Sequence, residues 1–167
     1  IKISKWIKGK KIDLAKGKGE KVYVLEFWQT EHLHNRLCIP FLTGLQKKYK
    51  DEGVVVISIT NENPKVVRRY LEKVGEQMDY VVAIDEEGAT RKAYMNAFGV
   101  VQDPRPHAFV VDKEGRIVWH GHPLSDLVET LPKVVAGDYD IEKAAAERLA
   151  QQRLAGKTAE YMRLIVA

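Results

Sequence analysis

The sequence predicts an α/β fold, a central mixed β-sheet flanked by helices, and three observations carry that reading. Val22-Tyr23-Val24-Leu25 and Val54 to Ile59 are continuous apolar runs, as strands buried on both faces require. A segment of helical length separates them, so the two strands are expected to run parallel across a right-handed crossover. His107 to Val111 and Arg116 to His120 flank Asp112-Lys113-Glu114-Gly115, the pattern of a β-hairpin. That hairpin adds an antiparallel pair at the far side of the sheet.

Taken in order, residues 1–20 read as an N-terminal hairpin extension. Its two short strands are Ser4 to Ile7 and Lys11 to Leu14, joined through Gly9. The central strand follows, ending in Phe27-Trp28, and the polar loop Gln29-Thr30-Glu31-His32 leads into a helix from about Asn35 to Lys50. Pro40 lies inside that helix and removes one backbone donor. After the second strand, Asn63 is the expected N-cap of a helix that opens on Pro64 and ends at Gly75. Tyr80 to Ile84 is a third buried strand, and Thr90 to Phe98 a helix closed by Gly99. A helix over Ser125 to Val135 completes the domain, assigned to residues 1–137. Residues 138–167, rich in Ala, Glu, Arg, Gln and Leu, read as a helical tail or linker interrupted near Gly156.

Composition bounds the partners. With 167 residues, 45% hydrophobic and 30% charged, the chain suits one domain plus an extension. No apolar run approaches the roughly 20 residues a membrane-spanning helix needs. The chain opens on Ile1 without a signal-peptide pattern, and is expected to be a piece of a longer protein. Residues 1–21 hold eight lysines against Asp13 and Glu20. Those lysines alternate with Ile3, Trp6, Ile7, Ile12 and Leu14 and match no nucleic-acid motif, so a solvated face is expected and no nucleic-acid partner. Cys38 is the only cysteine, which rules out an intramolecular disulfide.

The stretch around the first helix is specific. Glu26, Phe27, Trp28, Thr30, Arg36 and Pro40 stand in the register (D/E)-F-W-x-T-x-C-x-x-C-R-x-x-x-P. This resembles the active-site signature of thioredoxin-like thiol–disulfide oxidoreductases, the TlpA-like branch above all. PHAFVVDKEGRIVWHGHP, from Pro106, is similar to the family's cis-proline strand and hairpin. The resemblance covers about Lys5 to Gly137. It implies a thioredoxin-like fold, an extracytoplasmic location, a buried acid at Glu26 that serves the cysteine pair, and a peptide groove beside Arg105 and Pro106. The departure is at the reactive atoms: His32 and Asn35 occupy the two cysteine positions. Gln102-Asp103-Pro104-Arg105 also departs from the family in being longer and lacking its glycine, and the bulky, charged Arg105 would obstruct the ordinary groove or recruit an acidic ligand.

Dithiol exchange needs a thiolate and a resolving thiol, so the family reaction is not expected from this chain. The first reading is a redox-inactive module that binds a peptide, protein or small ligand at Trp28, His32, Arg105 and Pro106, without a cofactor. The second is a metal-binding member, with zinc or another transition metal on His32, His34 and Cys38. Glu31 stands nearby in sequence, and His120 and His122 form a further candidate pair. The third is a one-cysteine enzyme using Cys38, against which stands the usual behaviour of free cysteine as a small buried hydrophobe.

Overall fold

The computed structural model describes residues 1–100, 106–147, 149 and 150. Six strands form one sheet: β1 (Ile3–Lys8), β2 (Val22–Phe27), β3 (Val54–Thr60), β4 (Val81–Asp85), β5 (His107–Val111) and β6 (Ile117–Gly121). Their order across the sheet is β1-β4-β3-β2-β5-β6. β2, β3 and β4 are parallel neighbours, whereas β1, β5 and β6 join antiparallel, so the sheet is mixed. Three helices lie between strands, α1 (Asn35–Tyr49), α2 (Pro64–Val74) and α3 (Ala89–Ala97), and α4 (Leu127–Ala136) follows the last strand.

Local chemistry accounts for the boundaries. Asn63 caps α2 by accepting from the Lys65 amide at 2.9 Å, with Pro64 in the first turn. Asp85 holds the start of α3, its two carboxylate oxygens accepting from the Thr90 and Arg91 amides at 2.8 and 2.9 Å. All six residues of β2 are buried, as expected of a strand covered on both faces. Alternation then divides its side chains. Tyr23, Leu25 and Phe27 join Ile57, Ile59, Ala83 and Phe109 in one core cluster. Val24 and Glu26 point to the opposite face.

The hairpin expected over residues 1–20 is not formed. β1 pairs with β4, some eighty positions away in sequence, in the register Trp6↔Ala83, and it is an edge strand of the sheet. Lys11 to Leu14 is not a strand. Asp13 turns the chain instead, accepting from the Ala15 amide at 3.1 Å and opening a short 3-10 helix over Leu14–Gly17. The physical reason is competition. An Asp side chain offers the backbone a local hydrogen bond that a two-stranded hairpin would have to displace. Gly17 is needed there for space, since a Cβ at this position would stand 1.9 Å from the Tyr23 hydroxyl. α4 starts two residues later than expected, because Ser125 closes a turn back onto the His122 carbonyl at 2.9 Å.

The chain divides at Gly137 into two units. In the second, residues 141–147 are helical, capped by Asp140 through the Lys143 amide at 2.9 Å. The break expected near Gly156 lies outside the described residues. Among the described residues, no helix is long and apolar enough to cross a membrane.

Candidate functional site

The carboxyl end of β2 places the site. After Phe27, the Trp28 amide donates to the Ile59 carbonyl at 3.2 Å, and a loop carries the chain into α1. Glu62, from the loop after β3, staples that loop. Its carboxylate accepts from the Thr30 amide at 2.8 Å, the Thr30 hydroxyl at 2.7 Å and the Thr60 hydroxyl at 3.1 Å. The sequence marks Asn63-Pro64 as a helix start but gives Glu62 no such role. The only signal was an acid next to a strand-end threonine.

Asn35 is the first residue of α1 and is 2% exposed. Its Nδ2 donates to the Gln29 carbonyl at 2.6 Å, closing the loop onto the helix, while Oδ1 has no hydrogen-bond partner among the described residues. The Trp28 indole is buried against Tyr70, ring centroids 5.4 Å apart, and its Nε1 likewise has no partner among the described residues. Leaving such groups enclosed costs about 1–3 kcal/mol each, and unpaired buried groups of this kind call for a functional or solvent explanation. His32 is half-buried in the loop, with its amide donating to the Gln29 carbonyl at 3.3 Å. Among the described residues the mouth of α1 has no side-chain cap, and its first turn holds no acidic residue, so the positive end of the helix dipole is not offset from within the helix. Two large apolar side chains, Leu33 and Leu37, stand 82% and 62% exposed beside it.

Behind the mouth lies a buried acid. Glu26 is paired in register with Ser58 on β3, and the Ser58 hydroxyl donates to its carboxylate. The hydrogen-bond partner of this acid is therefore Ser58, on the neighbouring strand. Burial raises the Glu26 carboxyl to about 7, and the Ser58 hydrogen bond only partly offsets that rise. Cys38 is fully buried in α1. Burial, and then the Glu26 charge, push its thiol up to about 12. Burial raises the phenols of Tyr70 and Tyr80 as well; Glu26 adds to both, and at Tyr70 a hydrogen bond with Asn35 partly offsets the rise.

The histidines do not converge. His34 is exposed and meets His122 edge-on, ring centroids 5.3 Å apart. His120 instead pairs with His107, Nδ1 to Nε2 at 3.2 Å. Among the described residues, no three His, Cys, Asp or Glu side chains come together as a metal site would need, so the expected set His32, His34 and Cys38 is not assembled. Pro106 is buried and precedes His107, which pairs with Phe27, so Pro106 and Trp28 lie at the same end of the sheet. Arg105, the loop Gln102 to Arg105 and the peptide bond into Pro106 lie outside the described residues, and the expected cis bond with them.

This sheet order, with a helix mouth at the end of its central strand, defines a thioredoxin-like protein. The chain belongs to the AhpC/TSA family, whose profile matches residues 4–120. It is 33% identical over 113 residues to the thiol-disulfide oxidoreductase ResA of Bacillus thuringiensis subsp. konkukian, covering 67% of this chain and 60% of that protein. Protein DipZ of Mycobacterium bovis is 26% identical over 137 residues, which is 77% of this chain and 18% of DipZ. The chain thus spans less than two thirds of the length of ResA and about a fifth of DipZ. Among solved structures, a putative thiol:disulfide interchange protein DsbE from Chlorobium tepidum aligns with a TM-score of 0.61 at 22% identity, covering 76% of this chain and 85% of that one. A thiol-disulfide isomerase from Corynebacterium glutamicum aligns with a TM-score of 0.65 at 19% identity, covering 82% and 92%. Both share the fold.

Proposed function

We propose that this chain is a family member without dithiol chemistry, and that it uses the mouth of α1 to hold an extended segment of a peptide or protein partner. The observation that carries the reading is the placement of sulfur. His32 and Asn35 border the mouth, while the one thiol, Cys38, is fully buried and raised to about 12, far from the thiolate that exchange needs. Support for a macromolecular partner comes from Leu33 and Leu37, because large apolar side chains left in water beside a polar site are typical of docking surfaces. The reading includes Trp28 and Pro106 as the floor of the groove and, by family resemblance, a location outside the cytoplasm.

Insulin-disulfide reduction tests it directly. The full chain with excess dithiothreitol should give no turnover above dithiothreitol alone, while the His32→Cys/Asn35→Cys double variant should be active. Turnover by the unmodified chain refutes the proposal. Docking is read separately, by titrating a permanently unfolded, carboxymethylated protein. Binding should fall at least tenfold in Leu33→Asp/Leu37→Asp, and equal binding by that variant removes the groove from the argument.

A further inference from the structure

A second site lies at the other end of the sheet. Segment 11–18, which carries the 3-10 turn Leu14–Gly17 in place of the strand expected over Lys11 to Leu14, borders a cleft of about 550 Å³. Tyr23 and Val111, paired across β2 and β5 at the end away from the mouth of α1, line its floor. Tyr94 of α3 and the half-buried Ile12 and Leu14 line its walls. That volume falls in the range of small-molecule sites, roughly 300–1,000 Å³. We propose that this cleft binds a small amphipathic anion, an alkyl or aromatic body carrying one carboxylate.

The charges around the cleft argue for the sign. Three carboxylates and two lysine ammonium groups line it; Asp112 and Glu114 share Arg116, while Asp13 caps the turn and keeps its charge. Asp13 accepts from the Ala15 amide at 3.1 Å. Asp112 accepts from the Arg116 amide and Nε, both at 2.8 Å, and holds its Nη2 at 2.8 Å. Glu114 shares that guanidinium at 3.3 Å. Lys11 and Lys18 are exposed and make no ion pair among the described residues. Lys10, Lys16 and Lys21 add to the positive field of the same segment. Burial, with the Asp13 charge, keeps the Tyr23 phenol neutral, so its hydroxyl is available as a donor. An apolar body would cover Tyr94, Val111, Ile12 and Leu14, and its carboxylate would meet the lysines at the rim. The lysine-rich opening of the chain then acquires a role beyond solvation.

Decanoate is a suitable probe, followed by amide NMR on the full chain. Saturable shifts are expected at Ala15, Gly17, Tyr94 and Gly115. Acetate, which has the charge without the chain, should give none, and decyltrimethylammonium should bind at least tenfold more weakly than decanoate. Lys11→Gln/Lys18→Gln should weaken decanoate about tenfold, since two partly exposed ion pairs contribute about that much. Ala15→Trp, at an exposed lining position, should block the cleft by size. The two variants are independent, so loss of fold in one, visible in its spectrum, leaves the other to decide. No saturable shift, equal affinity for the cationic chain, shifts centred on the mouth of α1 or beyond residue 138, or unchanged affinity in a folded variant overturns the proposal.

Discussion

Replacing Glu26 by Gln should make the chain more stable at neutral pH and remove most of its pH dependence between pH 4.5 and 8. The carboxyl is buried and titrates near 7 in the folded chain, against an ordinary value of 4.5. Between those values the folded state keeps a proton that the unfolded state has released. Stability therefore falls as pH rises through this window and levels off above it; below pH 4.5 both states are protonated and the group contributes nothing. The difference of 2.5 pH units corresponds to about 3 kcal/mol at 1.36 kcal/mol per unit. Glu26→Gln keeps an acceptor for the Ser58 hydroxyl and removes only the ionisation. Guanidinium unfolding at pH 5, 6, 7 and 8 reads the effect. Relative to the variant, the unmodified chain should lose about 2.5 kcal/mol between pH 5 and pH 8. Parallel profiles for the two proteins would refute the placement of an ionisable, desolvated carboxyl at this point.

Three further outcomes follow from the same geometry. Cys38 should resist iodoacetamide at pH 7.5 in the folded chain and react fully once unfolded, because its thiol is enclosed and raised to about 12; rapid labelling of the folded protein would revive a one-cysteine enzyme. Glu62→Ala should cost about 1–3 kcal/mol through the loss of its hydrogen bonds, and should speed hydrogen exchange at the Thr30 amide. An unchanged exchange rate there would show that the loop is held by other means. Gly17→Ala should destabilise by about 1–3 kcal/mol through steric conflict with the Tyr23 hydroxyl. Tyr23→Phe in the same chain should recover part of that loss, since the remaining ring carbon stands 2.9 Å from the new Cβ; no recovery would point to another clash.

What the sequence could show was the part written in neighbouring residues. The runs Val22 to Leu25 and Val54 to Ile59, the Asn63-Pro64 start and the Gly-containing turn at Gly115 each carry their structural cause within a few positions, and β2, β3, α2 and the β5–β6 hairpin are where those causes put them. The candidate mouth was legible for a different reason: the register from Glu26 to Pro40 resembles a known signature, so His32 and Asn35 could be read as substitutions. Contacts between distant segments were not legible. Ser58 meets Glu26 only through the β2–β3 register, Glu62 reaches Thr30 across 32 positions, and His34 meets His122 through the return of the chain after β6. Segment 11–14 shows the reverse failure, since its alternation suits a strand while Asp13 favours a cap.

The outermost position of β1 has a consequence for how the protein survives at high concentration. Lys2, Lys5 and Lys8 flank and punctuate a strand that would otherwise offer open backbone groups to any passing chain, and charged side chains there discourage such pairing. Beneath it the ladder of β4, Val81-Val82-Ala83-Ile84, carries no such guard. A chain shortened by its first eight residues should accordingly scatter light and bind amyloid dyes at concentrations where the intact chain stays monodisperse. The lysine-studded border then acts as a shield against self-association, quite apart from anything that binds at the two ends of the sheet.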